Sequence, residues 1–184
     1  MNRSPHLFTA IEYALSFLGI FWFVWLIDTV FSLNLGVLGV YPRSIDGLIG
    51  VITSPFIHGG LEHLLANTIP FGILCTLLFL FYKKNAFLFF ILNWITAGLG
   101  TWLIGREAYH IGVSGVIYAI ASFLIFGGIF SRKFKLIIPS IIVIVAYSGL
   151  LWGIFPTDGN VSWEGHLAGA VSGIVWAYVF RKSL

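Results

Sequence analysis

Two short stretches of this sequence carry side chains that can share a proton. Ser114 sits between glycines in Gly112-Val113-Ser114-Gly115, and His166 follows Gly165. A serine hydroxyl becomes a nucleophile when an imidazole within about 3 Å accepts its proton. A third stretch, HGGLEHLLANT over residues 58–68, adds His58, His63 and Asn67. On a helix His63 and Asn67 project from one face, as do Ser114 and Tyr118, because each pair is four residues apart. Gly165, Gly169 and Gly173 recur at the same interval and form a smooth stripe that lets a neighbouring helix approach closely.

Each feature also has a plainer use. Ser114 among glycines suits small-residue packing, and Asn67 suits interhelical bonding. His58, His63 or His166 could each serve a backbone carbonyl. His110, near Ser114 in sequence, is a rival base, although an irregular turn makes productive geometry difficult. Asp28 lies within an apolar run, where it snorkels to the interface or bonds a neighbouring helix, and it is kept out of the site.

The elements that must position these residues belong to a membrane protein. The 184 residues are 59% hydrophobic and only 9% charged, and the mean hydropathy is +0.98. A water-soluble globule is excluded. A spanning helix needs roughly 20 apolar residues, and the chain offers runs at 11–33, 64–81, 86–104, 115–130, 136–155 and 167–180. Barrel-type alternation is absent, so the backbone must be satisfied within helices. The expected fold is an all-α, polytopic bundle of six transmembrane helices forming one domain over residues 1–184, with a short tail at 1–10 and an external loop at 34–57. Nothing before Ile11 resembles a cleaved leader, so the first helix is expected to stay as an anchor. Cys75 alone excludes an internal disulfide.

Charge sets the expected orientation. Arg3, Lys83, Lys84, Arg132, Lys133, Lys135, Arg181 and Lys182 fall on one face of a six-span chain, and only Arg43 and Arg106 on the other. Basic residues accumulate on the cytoplasmic side, which places both termini there. The net charge of +3 is then a topology signal, and no nucleic-acid partner is expected. Ser114, His166, His58, His63 and Asn67 all land at external ends of spans, and polar groups at membrane depth mark functional sites. The apolar runs at 115–130 and 167–180 reach only about 24 and 21 Å against a hydrocarbon core of about 30 Å. With their cytoplasmic ends pinned by basic residues, the shortfall is expected at the external ends, beneath a water-filled depression. A hydrolase acting in a membrane needs such a recess, because water is its second substrate.

Together HGGLEHLLANT, GVSGVIYA (residues 112–119) and GHLAGAVSG (residues 165–173) resemble, in order and over most of the chain, the minimal six-helix bacterial rhomboid intramembrane serine proteases. The resemblance implies Ser114 as nucleophile and His166 as general base, without an acidic third member, so that Asp158 and Glu164 near His166 are not required. It implies His63 and Asn67 at the oxyanion, His58 as structural, and Tyr118 stacked on the histidine. Gly112, Gly115 and Gly169 fall in the same motifs as supporting positions. No Trp-Arg pair of the family's first external loop occurs between Leu33 and Ile57. The resemblance further implies other membrane proteins as substrates, cut near the external face after a small residue, in a bacterial inner membrane, with no metal or cofactor. Two other classes compete. A catalytically silent rhomboid-fold binding protein would lack Ser114 or His166. A small transporter would show intramembrane charges or an internal repeat.

Overall fold

The computed structural model describes residues 7–156 and 161–184; Arg3 and Asp158 lie outside them. The chain folds as an all-helical polytopic bundle. α1 (Leu7–Phe31) is followed by four short helical turns, Leu35–Leu38, Asp46–Ile49, α2 (Gly50–Thr53) and Ser54–Phe56. α3 (Leu61–Tyr82) and α4 (Ala86–Ile104) are joined by a tight turn, and α5 (Ser114–Ser131) leads through a left-handed Arg132 (φ 56°) into α6 (Phe134–Tyr147). A 3₁₀ segment, Ser148–Ile154, precedes α7 (Trp163–Phe180). α1, α3, α4 and α5 are each long and apolar enough to cross a bilayer.

α5 is the central helix, packed against α3, α4, α6 and α7. Lipid tails are as apolar as leucine, so helix association here depends on close packing and interhelical hydrogen bonds. Both operate between α5 and α7. A Cβ on Gly169 would overlap the Gly115 carbonyl oxygen, and one on Gly173 would overlap the Ala119 carbonyl oxygen. The Ser122 hydroxyl reaches the Ala170 carbonyl across the same seam, at 2.8 Å. On the other flank of α7, Trp176 Nε1 donates to Thr96 Oγ1 of α4 at 3.0 Å. Elsewhere the core is aromatic, with Phe71, Phe79, Phe89, Phe90 and Phe123 fully buried. α1 leans on α3, where Trp22 Nε1 donates to Thr68 Oγ1 at 3.2 Å, and it turns Phe8, Phe23 and Val30 outward.

Three expectations need correction. The run at 136–155 is not one helix: α6 stops at Tyr147 and the chain continues as a 3₁₀ segment. Gly149 and Gly153 lower helix propensity there, and Gly153 is held against two side chains from other helices. The shortfall of the fourth and sixth runs is smaller than apolar counting gives. α5 and α7 have 18 residues each, about 27 Å, because α5 includes Ser114 and Ser131 at its ends and α7 gains a whole first turn, Trp163–His166. Finally, the segment 34–57, expected as a loop, contains four short helical turns and packs on α4. Trp94 of α4 donates to the Val51 carbonyl at 3.0 Å, and a Cβ on Gly98 would come within 3.0 Å of Val51 Cα. Within the same region Asp28 Oδ1 accepts from the Leu35 backbone N–H at 3.1 Å, so it caps the turn after α1 instead of bonding another helix.

Candidate active site

Ser114 opens α5 and His166 lies in the first turn of α7. The α5–α7 seam brings their side chains together at that end of the bundle. Ser114 Oγ is 2.9 Å from His166 Nε2, and His166 Nδ1 is 2.9 Å from the Gly153 carbonyl oxygen. A carbonyl only accepts, so Nδ1 carries the hydrogen and the Nε2 lone pair faces the serine hydroxyl. The Tyr118 ring stacks on the imidazole, with centroids 4.2 Å apart and planes 10° from parallel. The orientation of His166 is therefore fixed on its face and at both nitrogens.

Gly153 was not anticipated from the sequence. A Cβ there would lie 3.0 Å from Tyr118 Cζ and 3.2 Å from His166 Nδ1, so the backbone reaches the imidazole only because no side chain intervenes. A glycine three residues before Pro156 in an apolar stretch is the faint signal available.

His63 and Asn67 project from the first turns of α3 toward the loop that delivers Ser114. Gly112 sets how close they come. Its φ is +100°, a conformation that favours glycine, and a Cβ would lie 2.6 Å from His63 Cε1 and Nε2 and 3.7 Å from Asn67 Nδ2. Asn67 is buried, and its Nδ2 has no hydrogen-bond partner among the described residues. Leaving such a donor unpaired costs about 1–3 kcal/mol, which a ligand oxygen would recover. His58 stands behind His63, with ring centroids 5.0 Å apart, and also meets Phe21. Burial, reinforced by His63, pushes the His58 imidazole down to about 4, so it packs as a neutral ring.

His63, Asn67, Ser114 and His166 all line one cavity of about 920 Å³. A tie holds its rim, through Arg106 of the cavity wall. Arg106 Nη1 meets both oxygens of the buried Glu164, at 3.2 and 3.1 Å. Glu164 thus binds an arginine and leaves His166 to the Gly153 carbonyl. His110, the rival base, does not reach Ser114: its Nδ1 is 2.6 Å from Ser162 Oγ and its Nε2 is 3.0 Å from the Arg106 carbonyl. Neither Ser162 nor Arg106 stood out in the sequence, since their partners come from distant segments.

Comparison with known proteins adds a family. The family model described as Rhomboid domain matches residues 46–183. The uncharacterized protein Rv1337 of Mycobacterium tuberculosis is 41% identical over 174 residues, covering 90% of this chain and 72% of that protein. The uncharacterized protein ML1171 of Mycobacterium leprae is 38% identical over 174 residues, covering 90% and 69%. A putative rhomboid protein, L523, of Acanthamoeba polyphaga mimivirus is 28% identical over 141 residues, covering 72% of this chain and 75% of its own length.

Proposed function

This chain belongs to the rhomboid family, and on that premise we propose that it is an intramembrane serine endopeptidase using Ser114 as nucleophile and His166 as general base. The observation that carries the reading is the hydrogen bond of 2.9 Å from Ser114 Oγ to His166 Nε2, in an imidazole whose Nδ1–H is held by Gly153. His166 takes the hydroxyl proton as Oγ attacks the scissile carbonyl. The oxyanion that forms is held by Asn67 Nδ2, by His63 and by the Ser114 backbone N–H, one of the free donors at the start of α5. His166 then gives its proton to the leaving amine, and water delivered through the cavity hydrolyses the acyl-enzyme by the same steps in reverse order of roles. Stacking on Tyr118 and the Gly153 carbonyl do the orienting that an acidic third residue does in other serine hydrolases.

The substrates are membrane proteins whose helices unwind near the face on which the cavity opens. That face is external and both termini are cytoplasmic, as the distribution of basic residues favours, in a bacterial inner membrane. The deciding experiment is cleavage of a transmembrane model substrate by purified protein in liposomes. Ser114→Ala and His166→Ala should each abolish turnover in protein that remains folded. Turnover near wild type in either variant refutes the assignment, and a folded wild type with no activity toward a panel of such substrates favours the silent binding protein instead.

A further inference from the structure

A second serine–histidine pair stands beside the first with the residue types exchanged. His110 precedes Ser114 by four residues, and Ser162 precedes His166 by four. Ser114 Oγ lies 2.9 Å from His166 Nε2, and His110 Nδ1 lies 2.6 Å from Ser162 Oγ. The turn that delivers the serine of one pair and the helix start that delivers its histidine are thus joined a second time, four residues back along both segments. We infer that His110 and Ser162 form a clasp that positions the Ser114–His166 pair. This inference rests on the proteolytic reading proposed above.

The proton directions support a clasp. His110 Nε2 faces the Arg106 carbonyl at 3.0 Å, which only accepts, so Nε2 carries the hydrogen and Nδ1 accepts from the Ser162 hydroxyl. Burial holds the His110 imidazole below its ordinary value, partly countered by the Arg106 carbonyl and Glu164, in keeping with the neutral tautomer. Ser162 Oγ in turn accepts from the Gly165 N–H at 3.2 Å as the N-cap of α7. One chain of hydrogen bonds therefore runs from the helix start that bears His166, through Ser162 and His110, to the carbonyl of Arg106 in the turn before Ser114. Backbone bonds of 2.9 Å in both directions between Val40 and His110 hold that turn from the other side. Because Ser162 Oγ serves as a helix cap, the pair is assigned to positioning and not to nucleophilic attack.

The clasp makes no contact that changes between substrate and transition state, so its loss should appear as misalignment of the reacting pair. His110→Leu and Ser162→Ala should each lower kcat by about tenfold to a hundredfold, the range of a displacement of up to about 1 Å, with KM within about twofold. Rates are taken per Ser114 labelled by a fluorophosphonate, so that misfolded protein does not count. The double variant should be no slower than the slower single one, because both changes break the same link. His110→Asn should restore most of the rate, since its amide oxygen sits where Nδ1 accepts from Ser162. If His110→Leu does not fold, His110→Asn against His110→Gln carries the test, because Gln places its amide toward the Arg106 carbonyl and should not rescue. Wild-type rates in His110→Leu, additive losses, Asn no better than Gln, or a fluorophosphonate adduct mapped to Ser162 would each overturn the clasp. Wild-type protein that does not label at Ser114 overturns the proteolytic reading and the clasp with it.

Discussion

Gly169→Ala tests whether the α5–α7 seam sets the reactivity of Ser114. The added methyl would overlap the Gly115 carbonyl oxygen and lie 3.0 Å from its carbon and 3.3 Å from the Ala119 nitrogen. All three are backbone atoms in a helix, so no rotamer change relieves the contact. Carbon atoms pack at about 3.5–4.0 Å, and relieving both this contact and the overlap with the oxygen requires α7 to retreat from α5 by at least about 1 Å. Gly169 is less than one turn from His166 on the same helix, so the imidazole moves with it. A serine–histidine distance of 2.9 Å becomes about 3.9 Å, beyond hydrogen-bond range, and a displacement of about 1 Å costs about 100-fold in rate. In purified protein kcat should fall by about that factor and fluorophosphonate labelling of Ser114 should slow in parallel. Gly19→Ala is the control, because nothing lies within 4 Å of a Cβ there, and it should keep full activity. Wild-type kcat in Gly169→Ala would refute the argument that backbone contact at this seam sets the distance.

If Asn67 Nδ2 donates to the oxyanion, Asn67→Ala should lower kcat by about 100- to 1,000-fold with KM nearly unchanged, while Ser114 still labels more slowly; full turnover would leave Asn67 as interhelical glue. Arg106→Ala strips a guanidinium from Glu164, whose side chain is only 4% exposed. It should lower thermal stability by about 2–3 kcal/mol, less than for a fully buried pair because the Arg106 side chain is 40% exposed, and adding Glu164→Gln should recover part of the loss. His58 is held down to about 4 from an ordinary 6.5, so on acidification through that window the unfolded chain takes up the proton first and the folded state loses stability. The melting temperature should therefore fall from about pH 6.5 to pH 4 and level off below, and His58→Phe should flatten part of that slope; an unchanged slope in His58→Phe would show that other groups carry it.

The helices were legible because bilayer thickness leaves few options for apolar runs of this length. Their ends were harder. Counting apolar residues shortened α5 and α7, since Ser114, Ser131, Glu164, Gly165 and His166 are polar or small yet helical. The run at 136–155 read as one span because hydropathy is blind to backbone geometry. Ser148–Ile154 is as apolar as a span but winds as a 3₁₀ segment, with Gly153 packed against Tyr118 and His166.

The same distinction separates the two halves of the candidate site. Ser114, His166, His63 and Asn67 stood out because ionisable or polar groups at membrane depth are costly and therefore conspicuous. The groups that orient them are cheap and silent in a sequence. A carbonyl belongs to every residue, so nothing marks that of Gly153 until the fold places it 2.9 Å from Nδ1. Ser162 gives no signal in the sequence, and His110 reads there as a rival base to His166. Both acquire meaning only when segments separated by 52 positions meet at 2.6 Å. Where a dyad lacks an acidic third residue, the work of fixing its tautomer and distance has to pass to such groups. The substitutions that retune reactivity without touching Ser114 or His166 should accordingly cluster at residues 110, 153 and 162, where sequence patterns give the least warning.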